Sequence, residues 1–159
     1  MAGLHQSNAL RGLLILIIAH QAADAVVGVE EFAQAAVMQP DVMILDEATA
    51  MLDPSGREEV FSTVRKLNRE KGITVVWITH FMEEAAKADR VVVLDHGAVA
   101  MDGTPREVFA RVQELKSLGL DVPPMAELSR MLGESGLPLP AGILTVDDMV
   151  KELKQCLFR

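Results

Sequence analysis

At 159 residues, half of them apolar and 24% charged, the chain has the composition of one globular domain, or one with a small appendage, and not of a disordered tail. Lys plus Arg number 15 against 23 Asp plus Glu, a formal charge of −8, so no basic stripe is available to neutralise nucleic-acid phosphates. A single cysteine, Cys156, excludes a disulfide framework and a Cys-rich zinc site, and the histidines His5, His20, His80 and His96 show no ligand spacing.

The longest apolar run, residues 13–19, is far shorter than the roughly 18–20 residues that cross a bilayer. Arg11 before it and Ala23-Asp24-Ala25 after it give it the outline of a minimal signal peptide. The other reading is a buried strand or helix segment, and periodicity does not separate those two. Residues 1–40 hold four charged side chains (Arg11, Asp24, Glu30, Glu31) and nine alanines, and the composition shifts near residue 40.

Val42-Met43-Ile44-Leu45 ends abruptly at Asp46-Glu47 and reads as a strand buried on both faces, as in a parallel sheet. Ser55 with Glu58 fits a capping box, followed by Val60, Phe61, Val64 and Leu67 at helical spacing and by Gly72 as a stop. Residues 73–78 form a second strand rich in β-branched side chains, and a short helix is expected over residues 81–87. Residues 91–94 form a third strand, and Asp95-His96-Gly97 reads as a hairpin turn into residues 98–101. Alternation of strand and helix is the rhythm of an α/β domain.

The last third reads as helical. Thr104-Pro105-Arg106-Glu107 supplies an N-cap, a proline at the first position and a glutamate at the third, with Val108, Phe109, Val112 and Leu115 as the apolar face. Pro123-Pro124 opens another helix with Met125, Leu128 and Leu132 expected inward. Residues 137–140 form an extended connector, and Thr145 and Asp148 cap a final helix carrying Met149, Val150, Leu153 and Leu157. These small amphipathic helices suit either core packing or a partner face.

Four apolar residues followed by Asp46 and Glu47 form a Walker B pattern. A rigid strand delivers Asp46 to the carboxyl edge of a sheet, where nucleotide sites lie, and an aspartate there suits Mg²⁺, usually through water. Glu47 beside it suits a general base acting on an attacking water. Ala50-Met51-Leu52-Asp53 follows, and Thr79-His80 ends the next strand about thirty residues on. This triple arrangement resembles the ATP-binding subunit of an ABC transporter, with residues 50–53 at the D-loop and His80 as the switch histidine that contacts the terminal phosphate.

The resemblance narrows to the ATPases of energy-coupling-factor (ECF) importers of vitamins and metals. It rests on Met38-Gln39-Pro40-Asp41, on Asp46 to Arg57, on Thr79-His80-Phe81-Met82-Glu83-Glu84-Ala85, on Ala88 to Val93, on Gly103 to Phe109 and on Leu118 to Pro123. It covers the chain from about residue 37 to the end. The implied fold is α/β: part of a P-loop NTPase (ABC ATPase) parallel sheet with a helical C-terminal extension. The implied domains are an unassigned stretch 1–36, the C-terminal half of an ABC ATPase domain 37–110, and a helical extension 111–159.

The implied ligands are ATP and Mg²⁺. Asp46 is the metal ligand, Asp46 and Asp53 are nucleotide-site residues, and Glu47 and His80 are catalytic. The implied partners are a second ABC ATPase subunit and a transmembrane coupling subunit at the cytoplasmic face of the cell membrane, with no nucleic acid and with self-association through the C-terminal helices.

Two family motifs are missing from the 159 residues. The lysines are Lys66, Lys71, Lys87, Lys116, Lys151 and Lys154, none preceded by glycine, so there is no Walker A loop. No two glycines are adjacent, so there is no Leu-Ser-Gly-Gly-Gln signature; residues 22–26, where it is expected, read Ala-Ala-Asp-Ala-Val. Residues 30–37 retain the spacing of the helix that follows the signature. A truncated, frameshifted or split gene accounts for this pattern. The functions to weigh are half of an ATPase that is inactive alone, a non-enzymatic module pairing with an intact ATPase, and a non-functional fragment.

Overall fold

The computed structural model describes residues 13–18, with the side chain of Ile15 alone among them, and residues 40–157. Residues 13–18, the apolar core of the signal-like pattern, form a strand, whereas the flanks of that pattern, the signature position and the 30–37 helix lie outside the described residues.

Five strands form one sheet: β1 (Leu13–Ile18), β2 (Val42–Asp46), β3 (Thr74–Ile78), β4 (Arg90–Asp95) and β5 (Ala98–Gly103), in the order β2-β3-β1-β4-β5. The first four are parallel and β5 is antiparallel to β4. The helices are α1 (Pro54–Lys71), α2 (Met82–Ala85), α3 (Pro105–Phe109), α4 (Val112–Ser117), α5 (Pro124–Glu134) and α6 (Val146–Leu157).

Register puts the buried side chains of the sheet on one face. Met43 lies opposite Val75, and Leu45, Trp77, Ile15 and Val91 run in a row across the four parallel strands. Helix α1 covers that face with Val60, Phe61 and Val64, and the Phe61 and Trp77 rings sit 5.3 Å apart. The other face of β2 presents Val42 and Ile44, which are 53% and 66% exposed, so the strand is buried on one face and not on both. Period-2 alternation is hidden when both faces carry apolar side chains.

Strand β1 is central, between β3 and β4. Strand β3, which ends just before Thr79 and His80, lies between β1 and β2. The β4–β5 turn places His96 (φ 46°) and Gly97 (φ 79°) both in the left-handed region, the backbone of a two-residue hairpin whose twist matches its strands. On β5, the outer strand, Asp102 is held by a bidentate pair with Arg90 at 2.8 and 2.6 Å, and charge on an outer strand blunts edge pairing.

Two helix boundaries and one buried helix face differ from the sequence reading. The cap of α1 is Asp53, with Pro54 at the first position, and not Ser55. The helix expected through Leu115 divides into α3 and α4, although Val108, Phe109, Val112 and Leu115 are all buried. In α5 the buried positions are Ala126 and Ser129, with Met125, Leu128 and Leu132 half-buried. The small Ala126 lets the helix approach closely, and the Ser129 hydroxyl donates to the Pro140 carbonyl at 2.8 Å, fixing the connector. Gly142 (φ 74°) lies where a Cβ would stand 2.3 Å from the Arg106 carbonyl oxygen. Together with Ile143, 1% exposed, this seats the C-terminal helices on α3.

Candidate functional site

The ends of β2 and β3 are level: Asp46 is opposite Ile78. The Glu47 N–H donates to the Ile78 carbonyl at 2.9 Å, extending the ladder by one bond beyond the strand. Glu47 then turns with φ 46°, a left-handed conformation that costs a non-glycine residue roughly 1–3 kcal/mol and that clusters at functional sites. This turn aims the Glu47 carboxylate across the strand ends. There its Oε1 lies 3.0 Å from His80 Nδ1. An ionised carboxylate only accepts, so Nδ1 carries the proton in this contact. Glu47 is 16% exposed and His80 half exposed, so the pair sits at the rim of the sheet with a water-accessible side.

Asp46 ends β2 half-buried beside this pair. Among the described residues no group of three or more carboxylate, histidine or cysteine side chains forms a metal cage. One carboxylate at a strand end is a donor set that suits Mg²⁺, which keeps several waters and takes the rest of its ligands from phosphates. The chemistry of the residue present therefore fits the ion.

Asp53 has a different place. Its Oδ1 accepts the Gly56 N–H at 2.9 Å, capping α1. The structure thus unites Glu47 and His80 at the strand ends and spends Asp53 on a helix terminus.

Behind the pair lies a buried polar link that the motifs did not disclose. The Thr49 hydroxyl donates to Glu84 Oε1 at 2.6 Å, and the Thr79 hydroxyl donates to Glu84 Oε2 at 2.6 Å. Thr49, Thr79 and Glu84 are 0%, 2% and 6% exposed. The Phe81 N–H closes onto the Thr79 hydroxyl at 3.0 Å. The Phe81 ring packs on His80 at 4.2 Å between centroids and is covered by the Arg57 guanidinium at 3.8 Å. Arg57 Nε also donates to the Leu52 carbonyl at 3.0 Å, tying α1 to the loop before it. Nothing in the sequence signalled this link: Glu84 follows Glu83 on a short helix, and Thr79 stands beside His80.

No family model matches the chain. It is 59% identical over 118 residues to the energy-coupling factor transporter ATP-binding protein EcfA1 of Clostridioides difficile, covering 74% of this chain and 43% of that protein. To the protein of that name from Symbiobacterium thermophilum it is 56% identical over 127 residues, 80% of this chain and 44% of the other. Among solved structures, cbiO1 from Clostridium perfringens, described as part of the ABC transporter complex cbiONQ, superposes with TM-score 0.49 at 33% identity over 65% of this chain and 40% of its own.

The mainly parallel α/β sheet with carboxylates at its strand ends is of the class to which ABC-type ATP-binding cassettes belong. Over the matched stretch the chain is homologous to the ATP-binding proteins of energy-coupling factor transporters. It spans less than half the length of the curated relatives it matches.

Proposed function

We propose that Asp46, Glu47 and His80 form the metal- and water-handling part of an ATP site that energises an ECF-type importer of vitamins or metals. The observation that supports this most is the 3.0 Å contact between Glu47 and His80, carried by the ends of two adjacent parallel strands. Bound Mg²⁺ would neutralise phosphate charge, with Asp46 as its protein ligand. Glu47 takes a proton from the attacking water. His80 donates from Nδ1 to Glu47 and, when both ring nitrogens are protonated, from Nε2 to a terminal phosphate oxygen. No lysine of these 159 residues follows a glycine, so in this reading the glycine-rich cradle and its lysine are supplied from outside them. The 159 residues alone are then a poor ATPase.

The partners in this reading are a second ATPase subunit and a transmembrane coupling subunit. Among the described residues no helix is long and apolar enough to cross a membrane; in this reading the coupling subunit holds the chain at the cytoplasmic face. The test is reconstitution with a P-loop-bearing half: Mg²⁺-dependent ATP turnover that depends on Glu47 supports the reading. Failure to gain turnover with several well-folded complementing halves overturns it.

A second reading, a non-enzymatic module that pairs with an intact ATPase, draws on the exposed apolar side chains of α5 and α6. Met131, Val146, Val150 and Leu157 are 52%, 62%, 43% and 63% exposed, and clustered apolar exposure marks contact surfaces. Loss of co-purification with an intact ATPase subunit on deleting residues 123–159, with no turnover in any pairing, favours that reading over the first.

A further inference from the structure

We propose that Glu84 is a positioning residue for this site: held between Thr49 and Thr79, it locks the loop that carries Glu47 to the loop that carries His80. The inference rests on the reading of Glu47 and His80 as the reacting pair.

A carboxylate that is 6% exposed is costly to bury, and an apolar side chain would fill the same space without that cost. Glu84 repays burial by accepting one hydroxyl on each oxygen, both at 2.6 Å. The two hydroxyls belong to different loops. Thr49 lies two residues after Glu47, on the turn that leaves β2. Thr79 lies immediately before His80, on the turn that leaves β3, and its oxygen also accepts the Phe81 N–H. Glu84 itself stands on α2, beyond both. The two turns are therefore joined twice: directly by the exposed Glu47–His80 contact, and from beneath by a dry bridge through Glu84. The exposed contact is open to competition from water, while the buried one is not, so the buried bridge sets the register in which the exposed pair meets.

The bridge is read through His80. Its ring lies 4.2 Å from the Phe81 ring, which displaces its imidazole proton signals by ring current. A histidine in an unfolded peptide under the same conditions supplies the undisplaced, random-coil reference. The experiment is proton–carbon NMR of the full chain, with His80 assigned by the His80→Gln variant and the buried ring of Trp77 as the monitor of the core. In Glu84→Met, which is close in size but offers no acceptor to either hydroxyl, the His80 signals move toward the random-coil reference while Trp77 is unchanged. Thr49→Ser keeps the hydroxyl and retains the wild-type His80 signals.

The proposal is overturned if His80 keeps its full displacement in Glu84→Met. It is equally overturned if Trp77 shifts together with His80, which marks Glu84 as a core residue without a specific hold on the site. No nucleotide enters the measurement, so failure of the ATPase reading and failure of the bridge show up separately.

Discussion

Glu47 and His80 are 33 residues apart in sequence and meet at 3.0 Å because the strands that end beside them run parallel and end level. Neither strand alone makes the contact. The positive φ of Glu47 points the carboxylate sideways along the edge of the sheet, toward the neighbouring strand end.

The first consequence concerns turnover. In a complex with a P-loop-bearing half, Glu47→Gln leaves ATP binding intact and lowers hydrolysis by about 10²–10⁴-fold, because the amide hydrogen-bonds but does not accept a proton. Asp46→Asn acts earlier, weakening Mg²⁺-dependent binding. Equilibrium nucleotide binding measured beside single-turnover hydrolysis separates the two. Equal hydrolysis by wild type and Glu47→Gln refutes the general-base role.

Asp53 is expected to matter first for stability. Asp53→Ala removes the cap of α1 and costs about 1 kcal/mol, within a range of roughly 0.5–2. Asp53→Asn keeps the capping oxygen and stays close to wild type. Urea unfolding of the three proteins, compared at constant slope, measures this. If Asp53→Asn is as destabilised as Asp53→Ala, the carboxylate charge and not the cap is what counts.

Acid weakens the joint between α4 and α5. Hydrogen bonds from Arg130 first, and then from Lys116, hold the Glu127 carboxyl down at about 2. A carboxyl depressed in the folded protein contributes stability that is fully present above its ordinary value near 4.5 and is lost as pH falls toward 2. Thermal unfolding between pH 5 and pH 2.5 on the order of one-half-unit steps is expected to show a steeper acid limb for wild type than for Glu127→Gln. Because Glu127 is at the surface, added salt reduces the difference. Identical acid limbs rule out the contribution.

Ile15 tests the place of β1. It is fully buried in the row with Leu45, Trp77 and Val91. Ile15→Ala is expected to cost about 2–5 kcal/mol, the range for emptying a buried aliphatic site. A cost under about 1 kcal/mol, typical of surface substitutions, means that residues 13–18 do not complete the sheet.

Strands β2 to β5 were legible because each apolar run is bounded by charged or turn residues, as Val42-Met43-Ile44-Leu45 is by Asp41 and Asp46. Residues 13–18 were ambiguous because an unbroken Leu/Ile run carries no period. The break between α3 and α4 was invisible for the opposite reason: Val108, Phe109, Val112 and Leu115 keep helical spacing across it. In α5 the large side chains suggested the inward face, but a close approach selected Ala126 and Ser129. At the site, the resemblance to ABC ATPases, carried by Asp46, Glu47 and His80 at successive strand ends, implied a shared location. The burial of Glu84 between two threonines did not show, because a polar residue on a short helix ordinarily faces water.

Strand β1 is first along the chain and third across the sheet, pairing Leu13 with Val75 on one side and Leu14 with Arg90 on the other. The sheet therefore closes last around its earliest residues. The β4–β5 hairpin assembles from neighbours in sequence, and β2–α1–β3 from a single crossover. Both present an unpaired inner edge until β1 enters between them. Long-range closure of this kind slows folding, and the two waiting edges are templates for any other extended chain. Refolding yield is therefore expected to rise with the rate at which residues 13–18 enter the slot between β3 and β4.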